Sequence, residues 1–380
     1  GIESLCPGGA SSSTAIGSGE NCDNSISGCS HGTHVAGIAA GGEWDTGSVT
    51  ISGVAPDADI ISMQVFTKFT AASGACSPYP APCVLSYTSD QLSALQRVQT
   101  LSVSHDIASV NMSLGGGRYY SACDNALIAS TVEELAASGI ATVIASGNNG
   151  FSDSVSSPAC ISSAVTVGST TNDDKVSGFS NTAEDLIDLY APGSSIISAV
   201  PTNSSEAYSG TSMAAPHVAG AFALIRNVFP NATVDEIVAA LRDTGEPVST
   251  RQSGNLGFSH PRLNIAQAVD VEPAPVLRVT SDGTGSGSVT SSPAGIDCGS
   301  TCTTVVPTPT SFTLTATADA GSSVTGWTGC DTTNGNTCTV NVMSSVNVKV
   351  TFTATAPTND DFANAELIVS GADLSQSTVG

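Results

Sequence analysis

The chain has 380 residues, with 10 Lys and Arg against 33 Asp and Glu and a formal net charge of −23 at pH 7. That balance excludes a nucleic-acid face, which needs clustered cations to displace the counterions of a polyanion; the acids are spread along the chain and read as a solvated surface. No run reaches the ~20 apolar residues of a membrane span, the densest being Val218 to Ile225, interrupted by Gly220.

The first segment that carries chemistry is His31-Gly-Thr-His-Val-Ala-Gly37, a histidine at the head of an alanine-rich helical run. His34 lies three residues further along the same helix. Two histidines at that spacing also suit a metal pair, but no glutamate-bearing zinc signature accompanies them, so His34 reads as structural. Ile60 to Phe66 and Ile107 to Met112 read as short buried strands. Between them, Ser89 to Leu101 has apolar Leu92, Leu95, Val98 and Leu101 at helical spacing, with Thr88 or Ser89 as N-cap. A second helix is expected over Ala126 to Ser138 and a third over Thr233 to Arg242. Strands are expected over Ala141 to Ala145 and Ala164 to Val167. This alternation predicts an α/β fold, a mostly parallel sheet with helices on both faces.

After Val271-Glu-Pro-Ala-Pro275, a proline-rich linker, helical periodicity stops. Leu277 to Thr280, Ser286 to Thr290, Ser311 to Ala316 and Val346 to Phe352 alternate as strands do, and Asn334-Gly335 marks a tight hairpin turn. The boundaries are therefore 1–270 for the α/β domain, 271–275 for the linker, 276–354 for a small all-β module, and 355–380 for a second linker and the opening of a further β-module. Eleven cysteines without Cys-x-x-Cys favour disulfides over zinc, hence an oxidising, extracellular setting. Cys76 with Cys83, Cys123 with Cys160, Cys298 with Cys302 and Cys330 with Cys338 are the expected pairs, leaving one of Cys6, Cys22 and Cys29 over.

Gly210-Thr-Ser-Met-Ala-Ala-Pro-His-Val-Ala-Gly220 supplies what His31 lacks. A serine hydroxyl is a weak nucleophile near neutral pH and needs a base beside it; histidine, with a pKa near neutrality, suits that role. Ser212 opens the helical run Met213 to Ile225, so its backbone N–H sits at a positive helix end and can donate to a developing oxyanion. Pro216 is expected in the first helical turn, where no donor is lost. Asn148, in Ala145-Ser-Gly-Asn-Asn-Gly150, is by itself either turn chemistry or a second oxyanion donor.

The histidine, asparagine and serine segments, in this order, resemble those of the subtilisin-like serine peptidases, and the resemblance runs from Gly1 to about Asp270. It implies a Ser/His/Asp triad with Ser212 as nucleophile, His31 as base and Asn148 as oxyanion donor, working through an acyl-enzyme without a catalytic cofactor. It also implies that Ser113, Leu114 and Gly115, in Asn111-Met-Ser-Leu-Gly-Gly-Gly117, pair with a peptide substrate as an added strand, with Gly147 beside them. Gly1-Ile2 resembles the tail of the family's aspartate turn, which places the triad acid two residues upstream of Gly1 and predicts an impaired fragment. Asp23 is the alternative acid, read as a loop residue. Asp188 matches a position that binds a structural Ca2+ in some relatives; a solvated or turn-bonded carboxylate is the equal alternative. Ile296-Asp-Cys-Gly-Ser-Thr-Cys302 and Gly326-Trp-Thr-Gly-Cys330 resemble a bacterial β-repeat module of secreted surface proteins, which suits surface or matrix contact.

The expected function is a secreted serine endopeptidase of broad specificity acting on proteins or peptides. The alternative is a surface adhesin or binding protein with a vestigial peptidase domain, but such decay should strike Ser212, His31 or Asn148 first, and all three stand. A processing protease for basic sites needs an acidic pocket, and Ser113-Leu-Gly115 carries no charge.

Overall fold

The structure is a computed structural model that describes residues 2–355 apart from 48, 77–80, 250–258, 272 and 299–301; the module opening expected after residue 355 lies outside the described residues. The chain divides into two compact units, Gly1–Ala274 and Pro275–Gly380.

The first unit is built on six strands: β1 (Ser109–Met112), β2 (Ala141–Ala145), β3 (Val165–Thr170), β4 (Leu189–Pro192), β5 (Glu246–Ser249) and β6 (Ser259–Arg262). Their order is β5-β6-β4-β3-β2-β1, parallel throughout except for the β5–β6 pair. Every residue of β2 and β3 is buried. A strand covered on both faces needs no polar side, which is why Ala141–Ala145 reads as a nearly continuous apolar run rather than an alternating one.

Five helices position the chemistry: α1 (His31–Ala40), α2 (Thr88–Leu101), α3 (Ala129–Ala137), α4 (Thr211–Val228) and α5 (Val234–Asp243). On one face of the sheet, Ile144 packs with Leu95 and Val98 of α2 and Val132 and Leu135 of α3. On the other, Val143 and Val167 pack with Ala214, Val218 and Phe222 of α4 and Ile237 of α5. α1 lies against α4, and Gly220 permits the approach: a Cβ there would stand 2.8 Å from the carbonyl oxygen of Ala39. The histidine helix and the serine helix therefore meet because one residue of the serine helix has no side chain.

Two local expectations are corrected. Ile60 to Val65 forms no strand; the strand begins at Phe66 (Phe66–Phe69), pairing with Ile2–Ser4 and Cys83–Ser86. A strand exists only through a hydrogen-bonded neighbour, and none of the described residues supplies one; Ile60 and Ile61 are about half exposed. The N-cap of α2 is Tyr87, without a side-chain cap bond, rather than Thr88 or Ser89. Thr233, by contrast, lies just before α5 and closes a reciprocal cap with Glu236.

The second unit is all β: β7 (Val276–Gly283), β8 (Gly287–Ser292), β9 (Asp297–Cys298), β10 (Thr303–Val305), β11 (Thr310–Ala318), β12 (Ser322–Thr328), β13 (Thr332–Asn334), β14 (Thr337–Val342) and β15 (Val346–Ala354). They form a sheet β10-β7-β15-β12 and a sheet β9-β8-β11-β14-β13. Along β11, Phe312, Leu314 and Ala316 point inward and Ser311, Thr313, Thr315 and Thr317 outward, the period of two that one buried face dictates. Disulfides join Cys298 to Cys302 and Cys330 to Cys338 here, and Cys22 to Cys29, Cys76 to Cys83 and Cys123 to Cys160 in the first unit, with Cys6 free. A core this small depends on its staples. Reductant should therefore melt the β unit well below the α/β unit in a thermal scan; equal shifts of both transitions would show that its two disulfides carry no such share.

Candidate active site

His31 is the first residue of α1 and is half-buried. Burial, with the neighbouring His34 second, pulls its pKa down to about 4, so the imidazole is the neutral, proton-accepting form at neutral pH. His34 is fully buried, bonded through Nε2 to the Glu206 carbonyl at 3.0 Å and stacked on Tyr208 at 4.2 Å between ring centroids. It is a packing residue that holds α1 against the Ser204–Tyr208 strand, and Ser30, just before His31, bonds the Tyr208 hydroxyl at 2.8 Å. Among the described residues no carboxylate is hydrogen-bonded to His31. Asp23 instead accepts the Ser25 N–H at 2.8 Å, which holds its carboxyl below the usual range in a local turn.

Ser212 is the second residue of α4 and is half-buried. Its hydroxyl donates to the Ser113 carbonyl at 3.4 Å, and no His31–Ser212 hydrogen bond is formed. Pro216 stands sixth in α4, past the first turn that the sequence suggests. Having no N–H, it cannot bond the carbonyl four residues back, which is that of Ser212. The Ser113 hydroxyl takes that carbonyl instead, at 2.8 Å. The segment Ser113-Leu-Gly115, leaving β1, is thereby tied to the serine helix. Gly115 lies so close to the strand Val155–Ser157 that a Cβ would stand 3.0 Å from the Ser157 carbonyl, and Gly116 pairs with Ser157.

Asn148 is exposed, three residues past β2. Its Oδ1 accepts both the backbone N–H of Thr211 at 2.8 Å and the Thr211 hydroxyl at 2.9 Å. Two donors on one oxygen fix which end of the amide is which and leave the NH2 group turned away from them. Gly147, beside it, donates its N–H to Thr211 Oγ1 at 3.1 Å. Thr211 thus carries much of the arrangement; its sequence signal was its place directly before the serine.

Asp188 is placed elsewhere. One carboxylate oxygen pairs with the Arg242 guanidinium and the other accepts the Thr166 N–H at 2.7 Å. Among the described residues no three His, Cys, Asp or Glu converge on a common point. A guanidinium occupies the position that a cation would take at this carboxylate, so the residues here do not fit calcium.

Four histidines, His31, His34, His217 and His260, are held below the ordinary value chiefly by burial, His31 and His260 at about 4. Above pH 6.5 these groups are neutral in both folded and unfolded chains and contribute nothing to pH dependence. As pH falls below 6.5 the unfolded chain takes up protons that the fold refuses, down to about pH 4 for His31 and His260, so stability should drop across that window. Urea melts from pH 7 to 4 should show this decline, shallower in His260→Gln; a flat profile would contradict it.

The subtilase family model matches residues 11–262, and the chain belongs to that family. It is 33% identical over 244 residues to subtilisin E of Bacillus subtilis (strain 168), covering 63% of this chain and 56% of that protein. The extracellular serine proteinase of Thermus sp. (strain Rt41A) is 34% identical over 256 residues, 67% of this chain and 52% of that protein. The chain thus spans little more than half the length of these relatives. The crystal structure of a cold-adapted subtilisin-like serine proteinase superposes with a TM-score of 0.47 at 32% identity, covering 61% of this chain and 73% of that one.

Proposed function

We propose that the α/β unit is the catalytic unit of a secreted serine endopeptidase, with Ser212 as nucleophile, His31 as general base and Asn148 as oxyanion donor beside the Ser212 backbone N–H. The observation that carries this reading is the pair of hydrogen bonds that the Thr211 N–H and hydroxyl donate to Asn148 Oδ1. It sets a side-chain amide donor next to a serine at a helix N-terminus, where negative charge is favoured. Ser113, Leu114, Gly115 and Gly147 would hold the substrate main chain as an added strand, which gives affinity with little side-chain preference. Five disulfides among the described residues support secretion. A fluorophosphonate probe should label Ser212 in the folded natural full-length protein and spare Ser212→Ala; a folded protein that stays unlabelled would overturn the enzyme reading in favour of a binding protein.

A further inference from the structure

The loop that carries Asn148 is exposed from Asn148 to Gly150, yet its backbone is gripped from beneath by the fully buried side chain of Asn181, beside single bonds from the Gly150 N–H to the Phe179 carbonyl at 2.7 Å and from the Gly147 N–H to Thr211. Asn181 Oδ1 accepts the N–H of Asn149 at 2.9 Å and of Phe151 at 3.2 Å. Its Nδ2 donates to the Ser146 carbonyl at 3.1 Å and to Ser156 Oγ at 3.3 Å. Its own N–H reaches the Gly147 carbonyl at 2.9 Å, and its carbonyl accepts the Ser146 hydroxyl at 3.0 Å. The partners fix the amide's orientation, since backbone N–H groups only donate and a carbonyl only accepts. Gly147 has φ +108°, and a Cβ there would lie 2.3 Å from Asn181 Nδ2. Glycine is therefore required both by the turn and by the depth to which the amide penetrates.

An oxyanion donor counts only when it is oriented before charge develops, because ordering it during the reaction costs what the bond returns. Thr211 aligns the Asn148 side chain, but the backbone from which that side chain hangs is free to move unless anchored. We propose that Asn181 is a positioning residue of the peptidase reaction, fixing the 146–151 loop so that Asn148 meets the oxyanion without rearrangement. This rests on the reading of Asn148 as oxyanion donor.

The test is a double-mutant cycle on the natural full-length protein with a peptide substrate, measuring kcat and KM for wild type, Asn181→Ala, Asn148→Ala and the pair. Asn181→Ala should lower kcat on the order of 10- to 100-fold while KM moves by less than about threefold, because the bond concerned forms only in the transition state. Added to Asn148→Ala, the same change should cost less than about threefold, since the group it positions is gone. A residue that merely supports the fold would lower kcat by the same factor in both backgrounds; that result, or an unchanged kcat in Asn181→Ala, overturns the proposal. If Asn148→Ala alone leaves kcat intact, the oxyanion reading falls and this inference falls with it. Where Asn181→Ala cannot be recovered folded, Asn181→Ser, which retains a small hydrogen-bonding group in the cavity, is read by the same criteria.

Discussion

Replacing Ser212 with Ala should lower peptide-bond turnover by roughly a million-fold, a magnitude carried over from subtilisin, where loss of the serine or the histidine costs about that much. The physical reason is that the hydroxyl makes its decisive bond only as the carbonyl becomes tetrahedral. On the proposed reading, its loss removes transition-state stabilisation and leaves the ground-state binding assigned to Ser113 to Gly115 almost untouched. The loss should accordingly fall on kcat, with KM nearly unchanged. His31→Ala should cost a similar factor, and combining the two should cost little more, because the pair acts as a unit. The measurement is hydrolysis of a peptide amide by purified natural full-length protein. A Ser212→Ala enzyme within tenfold of wild type would mean that another group is the nucleophile.

Gly168→Ala should destabilise the α/β unit by about 1–3 kcal/mol, the cost of forcing a group into a packed core. Gly168 lies in the centre of β3, in register with Tyr190 of β4. A Cβ at Gly168 would stand 2.3 Å from Tyr190 Cε1 and 2.5 Å from Cδ1. The ring cannot retreat: Tyr190 is 0% exposed, and burial pushes its phenol pKa up, as for a group with no water near it. Either the ring leaves its rotamer or the two strands part, and both disturb the sheet that carries the Asn148 loop. Gly42→Ala is the control, since a Cβ there meets nothing within 4 Å. Urea midpoints should move for Gly168→Ala and stay for Gly42→Ala; a Gly168→Ala midpoint equal to wild type would show that the core yields more easily than its packing implies.

Much of this was legible in the residues. The strand Ala141–Ala145 was expected with the bounds it has, because five apolar or β-branched residues in a row between polar turns leave few options. The helix ending at Leu101 followed from the spacing of Leu92, Leu95 and Val98. The four cysteine pairs expected from the sequence are those formed; three close loops of 4 to 8 residues, and Cys123 with Cys160 spans 37. What failed depended on partners remote in the chain. Ile60 to Val65 has strand composition but no paired neighbour among the described residues. Nothing in the residues around Asp188 announces its ion pair with Arg242, 54 residues away. Asn181 sits in Ser180-Asn181-Thr182, ordinary loop composition. Nothing nearby announces that its amide reaches Ser146, Asn149 and Phe151, 30 to 35 residues back.

Gly220, the gap in α4 that admits α1, also bears on how this molecule would fail. The serine helix is no appendage: eleven of its eighteen residues are buried, and it packs against four strands of the sheet. The serine and a large part of the sheet's interior packing are on one piece of chain, so Ser212 itself cannot shift far while that interior stays intact. Loss of turnover on heating or in denaturant should then track the global unfolding transition rather than precede it. That would make activity a faithful reporter of the folded fraction.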